Sequence, residues 1–271
     1  MGAYYCATLK YPGKNWIRYE SWSLKVGAKL MEHSYVLDRY VNFITYKIYY
    51  KPAHLVWLCD YHEKESLDDI TWDDVPVAKI KNQNNKLLSI QQKFLCAIYV
   101  NLNKKEYFSL RKILQIAGRN LVENNPPRYV EFFISKETFH TYVIHPLPLL
   151  TNSEKEYAGG GDYRDNYKLR SYWAKDLIVA FPDSAEPTIK KYNFKDISEK
   201  VIVPIEEACR YNIPREKLAL YLIKFLKDLG TTKNPELTFI REYSKPGTEK
   251  PYLVFPQVKP KKVTEILNCF L

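Results

Sequence analysis

The chain has 271 residues and a formal charge of +10, from 41 lysine and arginine residues against 31 aspartate and glutamate residues. A chain of this length buries enough apolar surface to fold without disulfides. Its five cysteines lack CxxC spacing, which indicates reduced thiols rather than an oxidised framework or a compact zinc site. The sequence shows no secretory signal peptide and no uncharged apolar run of about 18 residues. We therefore expect an intracellular protein with no membrane partner.

The first 61 residues are predicted to be rich in strands. Two aromatic runs flank the turn PGKN and predict a hairpin over residues 3–24, which a short helix near residues 28–33 follows. The segments NFITYKIYYK (42–51) and AHLVWLCDY (53–61) are read as two further strands that pair in antiparallel fashion.

The strand predicted for residues 42–51 has an unusual second face. Its even positions form an apolar face, but its odd positions carry Val41, Phe43 and Tyr49 where a half-exposed strand would show polar groups. The covering layer could be the chain's own second layer, other copies of the chain, or nucleic-acid bases. Val41, Phe43 and Tyr49 are therefore predicted to form a self-assembly surface.

The remaining segments predict a mixture of hairpins and helices. Strands are expected within residues 86–102 and 171–181, and hairpins are expected to begin at residues 128 and 236. Helices are predicted over residues 104–120, 214–230 and 263–271. Loops are predicted over residues 66–76 and 146–167. We expect an α+β fold, a predominantly antiparallel β-sandwich built from hairpins with several packed helices. Residues 1–271 are predicted to form a single β-rich domain with helical extensions.

No motif in the sequence names a reaction. HExxH, GxSxG and GxxxxGK[ST] patterns are absent, and the five histidines do not occur at metal-ligand spacing. We predict no catalytic, cofactor-binding or metal-ligating residue, and no enzyme activity. An active site assembled from distant residues stays open as an alternative.

One stretch has the composition of an anion-binding loop. Three consecutive glycines allow backbone N–H groups to converge on an anion, and basic side chains follow them closely. The loop is predicted to bind a phosphate or nucleotide, or else to order at an interface, through Gly159, Gly160, Gly161, Arg164, Lys168 and Arg170.

Tyrosine is the outlier of the composition, with 23 residues against only 2 methionines. Tyrosine suits surfaces that become buried against something polar. This tyrosine-rich composition without a catalytic motif resembles the polyhedrins, the occlusion-body matrix proteins of insect viruses. The resemblance implies a β-sandwich that assembles into crystals in the cytoplasm of an infected cell, protects virions and dissolves at alkaline pH. It also implies nucleotide bound between subunits in some members.

The alternative is a viral or organellar nucleic-acid-binding protein. Its lysines would neutralise phosphates and its tyrosines would stack on bases. The expected partners are thus other copies of the chain and virions, or nucleotide and RNA. The sequence lacks RNP1, KH and zinc-knuckle patterns that would identify a known RNA-binding module.

Overall fold

The computed structural model describes residues 3–24, 26–34, 36, 38–61, 70–78, 97–113, 144–154, 168–202 and 260–270. The helix predicted over 214–230, the hairpins predicted from 128 and 236, and Gly159, Gly160, Gly161 and Arg164 lie outside these residues. The single-domain organisation stays a prediction. No helix in the described ranges is both long enough and apolar enough to cross a membrane.

The described strands form one mixed sheet of seven strands in the order β2-β1-β3-β6-β4-β5-β7. The strands are β1 (Tyr5–Lys10), β2 (Ile17–Tyr19), β3 (Ala53–Cys59), β4 (Ala97–Asn101), β5 (Glu106–Ser109), β6 (Leu177–Pro182) and β7 (Lys195–Asp196). Five of the six pairings are antiparallel, and β5 pairs with β7 in parallel. The β-sandwich stays a prediction, because the described strands belong to a single sheet.

Helices cover both faces of this sheet, which confirms the α+β class. One face packs against α1 (Leu30–His33), α2 (Arg39–Ile48) and α3 (Pro146–Leu150). The other face packs against α4 (Glu186–Lys191) and α5 (Pro260–Phe270). Successive strand side chains point to opposite faces, so a strand such as β6 supplies Ile178 and Ala180 to the first core and Val179 and Phe181 to the second.

The strand predicted for residues 42–51 is wrong, because these residues belong largely to helix α2. Asp38 caps the helix, with its carboxylate Oδ1 accepting hydrogen bonds from Tyr40 N at 2.7 Å and Val41 N at 3.4 Å. Val41, Ile44 and Ile48 recur at helical spacing and are fully buried. Nearly every position of the segment is apolar or aromatic, so strand alternation and a helical stripe fit it equally well.

The helix also changes the interpretation of the predicted self-assembly surface. Val41 is 0% exposed and Phe43 is 7% exposed, and both pack into the chain's own core. Tyr49 is half-buried, with its ring centroid 4.8 Å from that of Tyr50. Val41 and Phe43 therefore offer no exposed surface to another copy, and the layer that covers them belongs to this chain.

Tyr40 joins helix α2 to the edge of the sheet. Its hydroxyl accepts a hydrogen bond from Ala7 N at 2.5 Å and donates one to Tyr19 O. Ala7 and Tyr19 are partners in the register of β1 and β2. The phenol hydroxyl therefore lies between two backbone groups of neighbouring strands.

Other differences lie at element boundaries. β5 (Glu106–Ser109) occupies the start of the helix predicted over 104–120, and only residues 110–113 of that prediction are described as helical. Helix α3 begins the segment predicted as a loop, and α4 was not predicted. The first hairpin, β3 and the final helix are confirmed.

Candidate nucleic-acid interface

The turn of the first hairpin brings a lysine and a tryptophan together. Gly13 takes a left-handed conformation (φ +68°), which an L side chain rarely adopts, and Lys14 N donates to Tyr11 O at 2.9 Å to close the turn. The tight turn places Trp16 beside the end of β1. There the Lys10 Nζ lies 5.9 Å from the Trp16 ring centroid.

The end of helix α2 adds two more lysines beside this hairpin. Lys47 Nζ lies 5.0 Å from the ring centroid of Phe43 and 5.3 Å from that of Tyr19. Lys51 Nζ lies 3.9 Å from the ring centroid of Tyr11. The Tyr11 hydroxyl in turn donates a hydrogen bond to Lys47 O at 3.0 Å, which fixes the hairpin against the helix end.

A fourth lysine comes from the last helix. Lys262 Nζ lies 4.9 Å from the ring centroid of Tyr50, whose backbone N–H donates to Ala180 O at 3.0 Å. Four lysines from three distant segments therefore lie over aromatic rings. We call this set the lysine–aromatic surface, and it comprises Lys10, Lys47, Lys51 and Lys262 with the rings of Tyr11, Trp16, Tyr19, Phe43 and Tyr50.

Cation–π contacts hold these ammonium groups in place without neutralising them. Within the described ranges, none of the four lysines forms an ion pair with a carboxylate. Burial and the neighbouring Lys51 ammonium lower the pKa of Lys47. Like charges therefore lie close to one another here, and an anion bound between them would relieve their repulsion.

Three cations on the β5–β7 side of the sheet have carboxylate partners instead. Lys112 Nζ lies 2.9 Å from an Asp196 carboxylate oxygen, and that hydrogen bond raises the pKa of Lys112. Two further pairs have the same character: Arg111 with Asp183 at 2.9 Å, and Lys190 with Glu186 at 2.7 Å. These three cations are thus neutralised by carboxylates, whereas the four lysines of the lysine–aromatic surface are not.

A buried chain of hydrogen bonds crosses the first core and serves the fold. His145 Nδ1 accepts from Leu147 N at 3.1 Å, so the proton is on Nε2, which donates to the Tyr99 hydroxyl at 2.9 Å. Tyr99 then donates to Thr45 Oγ1, which donates to Val41 O, each at 2.9 Å. Every side chain in this series of hydrogen bonds is buried, so the polar groups satisfy one another and face no substrate.

The predicted phosphate loop is only partly covered by the described ranges. Lys168 is exposed in a turn. Arg170 is 6% exposed. Burial raises the pKa of the Tyr5 hydroxyl, the Glu154 carboxylate adds to this rise, and the Arg170 guanidinium opposes it. Among the described residues, no group of three or more histidine, cysteine, aspartate or glutamate side chains could hold a metal ion.

Comparisons with known proteins give one likeness and no family. No protein-family model matches the chain, and no solved structure matches it. DNA repair protein RecN of Rickettsia typhi is 21% identical over 211 residues, which cover 73% of this chain and 34% of RecN. The chain therefore spans about a third of the length of the curated protein that it matches.

The likeness to RecN contradicts the function expected from composition. RecN is described as a DNA repair protein and not as a matrix protein of viral occlusion bodies. The prediction of an occlusion-body matrix protein is therefore wrong. Other copies of the chain, nucleotide and RNA stay predicted partners.

The lysine–aromatic surface was missed in the sequence because its members are far apart along the chain. Lysines are spread over the whole sequence, and nothing local distinguishes Lys47 from Lys195. Only the pairing of β1 with β3 and the packing of α2 and α5 bring residues 10, 47, 51 and 262 to the end of the sheet around residues 50–54, with Lys47 and Lys51 on the α2 side and Lys10 and Lys262 on the other. A weak sequence signal was present in the first hairpin, where aromatic residues and lysines alternate around the turn.

Proposed function

We propose that the chain binds DNA through the lysine–aromatic surface. The observation that supports this most directly is that Lys10, Lys47 and Lys51 lie over rings and have no carboxylate partner in the described ranges. Lysines held in this way contact phosphates without first giving up an ion pair. Phosphate contact releases counterions from the nucleic acid, which is the main source of non-specific affinity.

Two further features support the proposal. The formal charge of +10 favours association with polyanions. The chain also resembles a DNA repair protein over most of its length. DNA is therefore a better first ligand than RNA.

Charge reversal tests the proposal. Binding of a fluorescent 20-nucleotide DNA should weaken about 50- to 150-fold between 50 and 200 mM salt if four lysines contact phosphates. The double variant Lys47→Glu with Lys51→Glu should bind at least tenfold more weakly at 100 mM salt. Its slope of log Kd against log salt should fall by about 1.4 to 1.8, because two phosphate contacts are lost.

The matched control changes the same charge elsewhere. Lys195 and Lys200 are exposed on the β7 side, about five strand spacings or roughly 24 Å from β1. Lys195→Glu with Lys200→Glu should leave affinity within about twofold. Equal losses in both double variants, or no DNA binding by the unmodified chain, would refute the proposed interface. An RNA 20-mer in the same titration tests the choice of DNA.

A further inference from the structure

The lysine–aromatic surface carries an exposed ring over which no lysine lies. The Tyr46 side chain is 50% exposed on the outer side of helix α2, next to Lys47. Within the described ranges its ring has no aromatic partner, no cation over it and no hydrogen bond from its hydroxyl. An exposed ring beside a lysine that is free of carboxylates is the pairing that stacks a base while holding its phosphate.

A second ring lies at the hairpin end of the same surface. Trp16 is half-buried, with its ring centroid 6.4 Å from that of His54 at an interplanar angle of 60°. Its other neighbour is Lys10, which lies opposite His54 in the β1–β3 register. Leu9, Ile17 and Leu55 face the α2 side of the sheet, so their strand neighbours Lys10, Trp16 and His54 face the other side. On the α2 side, Tyr46 is thus the exposed ring that accompanies Lys47 and Lys51.

Duplex DNA would leave these rings unused. Bases in a duplex stack on one another and present only their edges in the grooves. Every cation of the lysine–aromatic surface is a lysine, a point charge that contacts phosphate readily but lacks the planar fork with which arginine makes paired contacts to base edges. Unpaired bases, in contrast, expose a face that an aromatic side chain can stack on.

We propose that the lysine–aromatic surface selects single-stranded DNA, with Tyr46 stacking on an unpaired base whose phosphates contact the neighbouring lysines. This inference rests on the proposed DNA-binding function and specifies its substrate class. The lysines supply affinity for any DNA, and the Tyr46 ring supplies the preference for unpaired strands.

The first test compares three probes of equal length: a single-stranded 20-mer, the corresponding duplex and a single strand whose central bases are replaced by abasic sites. The unmodified chain should bind the single strand at least tenfold more tightly than the other two. Tyr46→Ala should weaken binding to the intact single strand about 5- to 100-fold. The same substitution should change binding to the duplex and abasic probes by less than twofold, because neither offers a base face.

Two variants control for folding and for the loss of any exposed ring. Tyr46→Phe keeps the ring and should bind like the unmodified chain. Tyr61→Ala removes a tyrosine that is 57% exposed just after the end of β3, far from Lys10 along that strand, and should also bind normally.

The outcomes separate this inference from the function on which it rests. Binding to no probe would reject the DNA-binding function itself. Equal affinity for single strand and duplex, together with no effect of Tyr46→Ala, would leave lysine-dependent DNA binding in place and reject the stacking role. An equal loss on all three probes would also reject it, since it would show that Tyr46 supports the fold.

Discussion

At the scale of single residues, Tyr40 shows how one polar atom on an aromatic ring joins two kinds of secondary structure. The ring packs edge-on against His33 and Trp57, with centroid separations of 5.0 and 5.7 Å. The hydroxyl meanwhile satisfies the amide of Ala7 and the carbonyl of Tyr19. A buried backbone group without a partner costs about 1–3 kcal/mol, so the ring position and the hydrogen bonds both contribute to stability.

We expect Tyr40→Phe to lower the free energy of unfolding by roughly 2–4 kcal/mol, because it leaves two buried backbone groups without partners. Urea unfolding followed by circular dichroism would measure the change. Tyr46→Phe is the control, since its hydroxyl is exposed, and it should change stability by less than about 0.5 kcal/mol. Equal unfolding midpoints for the two variants would show that the strands close directly without the phenol.

Residue composition predicted the importance of tyrosine but not its location. Many of the rings lie in the interior, where the hydroxyls of Tyr40, Tyr99 and Tyr107 hydrogen-bond to protein groups. A count cannot distinguish a tyrosine that bonds inside the fold from one that faces a partner. The distinction depends on which backbone or side-chain groups the topology brings within reach of each hydroxyl.

At the scale of elements, helix α2 connects the core and the candidate interface. Its inner side supplies Val41, Ile44 and Ile48 to the core, and its outer side supplies Tyr46 and Lys47. A strand in this segment would have sent alternate residues to opposite faces and separated Tyr46 from Lys47. The helical conformation is therefore what places a ring and a cation next to each other.

The cap of this helix gives a second stability test. Asp38→Ala removes the acceptor for the amides of Tyr40 and Val41 and should destabilise the chain by about 1 kcal/mol. Asp38→Asn keeps an acceptor oxygen and should recover most of that loss. Chemical denaturation of the two variants at pH 7 provides the comparison, and identical midpoints would mean that packing alone determines where the helix starts.

Elements with a clear local signal were predicted well. The first hairpin has a Pro-Gly turn, β3 is a compact apolar run, and α5 has an apolar stripe at helical spacing. The strand predicted for residues 42–51 is wrong because their β-branched and aromatic side chains favour a strand locally, whereas the Asp38 cap and the packing of Val41 and Ile44 favour a helix. Tertiary packing determines the conformation of such an ambiguous segment.

At the scale of the whole molecule, the first core contains two histidines that are buried in neutral form. His33 Nδ1 donates to Gly27 O at 3.0 Å and its Nε2 accepts from Trp57 Nε1 at 2.9 Å. Burial lowers the pKa of His33 to about 4 and that of His145 to about 3. Protonation would turn each accepting nitrogen into a donor that faces another N–H group.

Stability should therefore fall in mild acid. Both histidines have an ordinary pKa near 6.5 when unfolded, so the unfolded chain binds more protons than the folded chain below that pH. Their contribution is fully present above about pH 6.5 and should shrink by roughly 2 kcal/mol per histidine at pH 5. Urea unfolding at pH 7.5, 6 and 5 would measure the loss. Burial also raises the pKa of Asp38 to about 7, so this carboxyl gains a proton in the folded chain over the same range and opposes the loss. The profile is therefore measured in the Asp38→Asn variant, where a flat curve would show that the two rings are not held neutral.

The candidate interface could not have been predicted from local sequence, and the reason lies in the topology. Lys10 follows a strand, Lys47 and Lys51 lie at the end of a helix, and Lys262 belongs to a helix on the other face of the sheet. They come to the same end of the sheet only after a sheet with non-consecutive strand order has formed. General composition indicated an anionic partner, but the positions that meet it depend on long-range contacts.

The phenol of Tyr40 has a consequence for the order of folding. The hairpin of β1 and β2 is local in sequence and could in principle form as soon as its 15 residues from Tyr5 to Tyr19 leave the ribosome. Yet the link between Ala7 and Tyr19 passes through a hydroxyl that is 21 residues downstream of Tyr19. The nascent hairpin therefore lacks its central connection until α2 has been synthesised and docked. We therefore expect the hairpin and the helix to become stable together rather than one after the other.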